Sequence, residues 1–395
     1  MKSQQLFALL LLCIIHLSCR NDDDTNPEID TSDLVNATAS IATFNTIATI
    51  DLETGNAIAT QNERLVTSVT YEDSFIGLLD NRLARNSDVD FLGEQLWEFD
   101  ITNGSDDNFD FNSTQMTVHN NIIYLHYRVT DTDIPLPLHT LIAVDANTGN
   151  LLWEENQIAH EFRRITTLNN RIITVETLNN ETRISSRDIS DGNIISQWQI
   201  DERISHLISG TNEVIVMSWS NVVYSVDEEL NINWAFETTE SNVQRGAIVG
   251  NQFLFHSRDE NIYALNLQFG DLNWSQSFPD LFISDFFTDS NTIWSTTINF
   301  PNNTILINEL DINNGTSYSN FAIPIVGDIS EIEFINFDDY LLIISDPNTG
   351  TTRSQLLNYT TQNLIWENEI AIDNISILEA NVLLGNSRYA LSSFF

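Results

Sequence analysis

Leu141-Ile142-Ala143-Val144-Asp145-Ala146-Asn147-Thr148-Gly149-Asn150-Leu151-Leu152-Trp153 is the stretch that decides the fold. An apolar run ends in an Asp, four steps lead to a Gly, and four more lead to a Trp. The Asp carboxylate can accept backbone N–H groups of the turn that follows, as in an Asx-turn. Gly supplies the positive φ that such a turn needs. The apolar runs on either side read as strands, so the unit is a hairpin.

The frame recurs along the chain. Asp51 and Gly55 keep its first half, as do Asp188 with Gly192 and Asp311 with Gly315. Gly93 and Trp97 keep its second half, with Val89 at the Asp place. Asn266, Gly270 and Trp274 keep all of it with Asn for Asp, Asp227 leads to Trp234 one residue short, and Asn358 leads to Trp366 with Gln362 at the Gly place. The anchors at 51, 89, 145, 188, 227, 266, 311 and 358 are spaced by 38, 56, 43, 39, 39, 45 and 47 residues. The mean of about 44 is the period of a four-stranded propeller blade. Two further short strands precede each hairpin, for example Arg163–Leu168 and Arg171–Thr177 around Asn169-Asn170, or 242–249 and 252–256 around Gly250-Asn251. No capped helical pattern of ten or more residues follows the N-terminal segment. One such sheet cannot bury both faces alone, and radial stacking buries them. The expected fold is all-β, an eight-bladed β-propeller with seven blades the alternative. The first unit begins late, and the end of the chain (375–379, then 382–394) supplies strands with no turn unit of their own. The two termini are therefore expected to share a blade and close the ring.

With these residues in hand, Ala143 to Trp153 resembles the repeat of PQQ-like β-propellers, and the resemblance extends over about 38–395. It implies that the recurrent Trp97, Trp153, Trp234, Trp274 and Trp366 pack between blades rather than form a cofactor box. The group includes quinoprotein alcohol dehydrogenases and the propeller lipoprotein of outer-membrane barrel assembly. The dehydrogenases carry a vicinal Cys-Cys pair beside their cofactor, and none occurs here. PQQ is therefore not expected, and no other cofactor is.

The N-terminus reads as an address. Lys2 precedes an apolar run ending at Leu17, too short for a membrane-spanning helix, which takes roughly 20 apolar residues. Leu17-Ser18-Cys19 resembles a lipobox, which implies cleavage before Cys19 and its lipidation, although His16 stands where that pattern prefers a branched aliphatic residue. Acylation would also remove a thiol that would otherwise be free and exposed. The expected organisation is a signal peptide over 1–18, a flexible acidic tether over 19–37, and the propeller over 38–395. The implied place is the outer membrane of a Gram-negative envelope, on its periplasmic or cell-surface side.

Sixteen basic against 56 acidic residues give a net charge of −40, which repels nucleic acid and anionic lipid headgroups. The single lysine is Lys2, so Schiff-base chemistry is excluded once the signal is removed. No His-Glu-x-x-His, Gly-x-Ser-x-Gly or Walker loop is present. Loops after the second and fourth strand of each unit share one face. The two longest there are Ile101–Phe111 and Val129–Leu138, so function is placed at Asp106, Asp107, Asp110, Asp131 and Asp133. Those oxygens suit Ca²⁺, but no Asp-x-Asp-x-Asp-Gly loop supports a metal site. The reading is a non-enzymatic, lipid-anchored scaffold with an envelope protein as partner. The alternative is a glycan or small-ligand binder, or an enzyme, using the axial mouth.

Overall fold

The computed structural model describes residues 32–392, apart from 43–45, 81, 90, 92, 102–107, 131–137, 158–160, 179–180, 240–242, 279–281, 289–291, 300–301, 303, 325–331, 346–351, 371–378 and 385–386. Eight antiparallel sheets form an eight-bladed propeller. Blades two to eight are four-stranded and follow the chain: Leu65–Tyr71 to Gln95–Asp100, Asn108–His119 to Leu151–Gln157, Glu161–Leu168 to Ile194–Ile200, Ile204–Ser209 to Ile232–Glu237, Val243–Val249 to Leu272–Ser277, Phe282–Thr288 to Ser317–Pro324, and Ile332–Phe337 to Asn363–Ile370. The innermost strands of successive blades pack on one another around the axis from blade one to blade seven.

Blade one joins the two ends of the chain. Thr38–Ala42, Ile47–Asp51 and Ala57–Gln61 come from the N-terminal side, and Glu379–Leu384 pairs with Thr38–Ala42 to close the ring. The last stretch is a hairpin, because Ser387–Ser392 pairs back on Glu379–Leu384. This sheet therefore has five strands, and the fifth lies on the axial side, against the innermost strand of blade two. The strand expected at 375–379 lies outside the described residues except for Glu379. Packing begins before Thr38: the 3-10 turn Ser32–Leu34 buries Leu34 with Tyr340 and Ile344 of blade eight, and the Tyr340 hydroxyl donates to Asp33 at 2.8 Å.

The core sits between blades rather than within one. Ile76 and Leu78 of blade two bury with Ile123, Leu125 and Ile142 of blade three. Ile173 and Val175 of blade four meet Val214 and Val216 of blade five. The second strands are buried along their length, as in Ser74–Leu79 and Gln252–Ser257, because both sheet faces are covered. The outermost strands show one inward residue among exposed ones.

That outer pattern has a single cause. In every blade the register of the last strand slips at the same place, as between Ala143 and Val144 opposite Trp153 and Leu151. The extra residue, Leu152 in this blade, is a β-bulge that bends the strand and re-aims its neighbour. Two consecutive residues then face outward, and the Trp after them turns towards the next blade.

Candidate functional site

The repeat anchors form the turns joining third and fourth strands. Asp145 Oδ1 accepts from the Asn147 and Thr148 amides (3.0 and 2.8 Å) and from the Thr148 hydroxyl (2.9 Å). Burial works against the ionised form of Asp145, but these hydrogen bonds outweigh it and hold the carboxyl below its ordinary value. Asp51, Asp188, Asp227, Asn266, Asp311 and Asn358 accept turn amides in the same way. The Ser190 hydroxyl and amide lower the Asp188 pKa, and the Tyr318 hydroxyl does so first for Asp311.

Blade two corrects the expected anchor. Ser87, not Val89, holds the Asp place: Arg85 lies opposite Trp97 as Ala143 lies opposite Trp153, and the Ser87 amide donates across the turn to Glu94. The turn is two residues longer than at Asp145, which shifts the count back from Trp97. Val89 is instead buried with Phe91, Phe75 and Leu65.

Each Trp reaches the turn of the following blade. Trp97 Nε1 donates to Ala146 O at 2.9 Å, and its ring lies so close over Gly149 (φ 73°) that a Cβ there would stand 2.8 Å away. Trp153 meets Gly192 and Ile189 O, Trp234 meets Gly270 and Leu267 O, and Trp274 meets Gly315 and Ile312 O. Trp366 of blade eight covers Gly55 of blade one and donates to Leu52 O at 2.7 Å, so the same device closes the ring. At the other three junctions the Trp place holds Ala59, Ser196 or Ser319. The facing turns there carry Phe91, Leu230 or Gln362 at positive φ instead of Gly. Trp and Gly thus occur together across every junction or not at all. Within a single repeat the two look irregular.

Two faces are distinguished by their hydrogen bonds. Turns after first and third strands share one: the Ala146 amide donates to Asn121 O, and the Leu267 amide to Asn251 O. Loops after second and fourth strands share the other: the Thr238 amide donates to Asn221 O, and the Trp219 amide to Arg203 O. This loop face is where function was placed from the sequence. Asp106, Asp107, Asp131 and Asp133 lie outside the described residues. Asp110 is not a loop residue: Asn108–His119 is a strand, and Asp110 is in register with Arg128, so the strand starts earlier than its polar sequence indicates. The same face carries Trp219, 48% exposed between the second and third strands of blade five. The sequence signal for it was present, a Trp outside the repeat frame, flanked by Ser218 and Ser220.

Basic groups gather at the innermost strands of blades four to six. Arg164 donates to Ser205 O, and burial together with Arg163 lowers its pKa to about 10. Burial first, then Arg164 and Arg245, depress His206 to about 3, and burial with Arg245 and His206 does the same to His256. Bulges at Arg163, Ser205 and Arg245 occupy the same place in these three strands and bring the cluster together. Blade four also holds a fully buried Arg187, paired with Glu176 at 2.6 Å and with Glu155.

Comparison with known proteins agrees with this architecture. The PQQ_2 family, described as outer membrane protein assembly factor BamB, matches residues 138–285. Among solved structures, the computationally designed Ika8 protein is 15% identical with a TM-score of 0.59, covering 81% of this chain and 92% of its own. Dihydro-heme d1 dehydrogenase NirN, in complex with DHE, is 11% identical with a TM-score of 0.59, covering 85% and 74%. BamB from Moraxella catarrhalis is 11% identical with a TM-score of 0.48, covering 76% and 88%. These structural likenesses speak to fold alone. No curated protein matches the chain. The chain is an eight-bladed β-propeller whose residues 138–285 are similar to the PQQ_2 family.

Proposed function

We propose that this propeller is a protein-interaction scaffold of the Gram-negative cell envelope, anchored by lipid at Cys19 in the outer membrane and docking an envelope protein through its loop face. The observation that carries the reading is the match of residues 138–285 to the outer membrane protein assembly factor family. A role in outer-membrane protein assembly is its specific form. Two features support it. The ring is latched by Trp at five junctions, including the one between blades eight and one, which makes a rigid platform. Trp219 stands exposed on the loop face, and Trp is the residue type most enriched where binding energy concentrates. In this reading the chain is not an enzyme and carries neither PQQ nor calcium.

The alternative use of the axial mouth by a glycan or small ligand has the fifth strand of blade one, Ser387–Ser392, standing on its axial side. Crosslinking in whole envelope followed by purification of the chain tests the scaffold. Recovery of a barrel protein of the outer membrane is expected, and recovery of no envelope protein refutes it. Fractionation of cells carrying Cys19→Ala tests the anchor: the variant is expected in the soluble fraction, and retention in the membrane fraction refutes lipidation.

A further inference from the structure

On the turn face, opposite the loops, the junction of blades five and six opens into a groove of about 640 Å³. That volume lies within the roughly 300–1,000 Å³ of small-ligand sites. Its walls are the Thr211–Glu213 turn of blade five and the Gly250-Asn251 and Leu267–Phe269 turns of blade six. Phe269 is 62% exposed, the most exposed large apolar residue among those described. The fold gives no reason for it. The same turn position holds Thr54, Thr148, Asp191, Asn314 and Thr361 in other blades. Thr148 and Thr361 use their hydroxyls to donate to the anchor side chain, a bond Phe cannot make.

The aromatic ring is held on a fixed backbone. Asn266 Oδ1 accepts from the Gln268 and Phe269 amides, both at 3.0 Å, and the Trp234 indole donates to Leu267 O at 2.8 Å. Around it stand the neutral amides of Asn212, Asn251 and Gln268 and one carboxylate, Glu213. Burial raises the pKa of that carboxylate. No Arg, Lys or His is among the lining residues. A phosphate or carboxylate ligand would find no counter-charge here, on a chain that is already strongly acidic. An apolar side chain laid in the groove would desolvate the amides without giving them partners. A pyranose ring suits both elements: its apolar C–H face lies on Phe269, and its hydroxyls donate to Glu213 and exchange hydrogen bonds with the amides.

We infer that the groove between blades five and six is a binding site for a neutral saccharide, with Phe269 as its stacking platform. This goes beyond the scaffold reading and uses a different face. The test is native electrophoresis of the full chain through gels cast with dextran, laminarin, xylan or galactomannan. Retardation by at least one polysaccharide is expected. Phe269→Thr, which restores the residue of the sister turns, is expected to weaken that retardation about tenfold or more with no change in thermal midpoint. Phe269→Trp is expected to retain it, and Asn251→Ala to reduce it. Migration unaffected by all four polysaccharides overturns the inference, as does retardation that Phe269→Thr leaves intact. If Phe269→Thr abolishes a protein crosslink while no polysaccharide retards the chain, the groove is a protein site and the inference also fails.

Discussion

Replacing Gly149 by Ala probes the latch between blades two and three. The backbone at φ 73° imposes a left-handed strain on any Cβ, about 1 kcal/mol. The new methyl would also stand 2.8 Å from the Trp97 ring, so the indole must move. Moving it breaks the 2.9 Å bond to Ala146 O, worth about 1 kcal/mol, and disturbs a packed contact for about 1 kcal/mol more. Gly149→Ala should therefore cost roughly 3 kcal/mol. In a chain already carrying Trp97→Ser, the substitution meets no ring and should cost only the strain, about 1 kcal/mol. Leu230 and Gln362 show this arrangement in the native chain, facing Ser196 and Ser319. The difference is a coupling energy of about 2 kcal/mol, measurable by a double-mutant cycle in urea with far-ultraviolet circular dichroism as the probe. A coupling below about 0.5 kcal/mol would mean that Trp and Gly act independently, and the latch argument would be wrong.

Three further outcomes follow from the same contacts. Asp145→Ala leaves the Asn147 and Thr148 amides without their acceptor and should lower stability by about 1 kcal/mol in urea unfolding, whereas Asp145→Asn should cost less. Arg187→Ala strands the buried Glu176 carboxylate and should cost roughly 3–5 kcal/mol, with partial recovery when Glu176→Gln is added. His206 and His256 are held neutral by burial beside Arg164 and Arg245, with folded values of about 3 below the unfolded value of about 6.5. The unfolded chain therefore binds more protons between these limits: their contribution is complete above about pH 6.5 and is lost as pH falls towards 3, by about 1.4 kcal/mol per unit for each histidine at most. Thermal midpoints should decline from about pH 6, and His206→Gln with His256→Gln should flatten that decline.

The repeat, the blade number and the closure by the chain ends were all legible in the sequence, because Asx-turns and strand pairs are local. The latch was not. Trp97 and Gly149 belong to different repeats and meet only when blades stack, so reading each repeat alone left Gly192 and Gly315 without a Trp and Trp366 without a Gly. Counting back from Trp97 at a constant turn length puts the anchor at Val89, whereas the Ser87–Glu94 turn is longer. Trp219 lies outside the repeat frame, so the frame does not mark it. Phe269 lay inside the frame and showed itself only through its exposure.

The central claim, that the loop face docks an envelope protein, is tested most directly by placing a photo-crosslinking amino acid at position 219 in living cells. The scaffold account predicts an adduct with an integral outer-membrane protein from that position, and none from Asn313 on the turn face. Absence of any envelope-protein adduct at 219, or equal adducts from both positions, would contradict it.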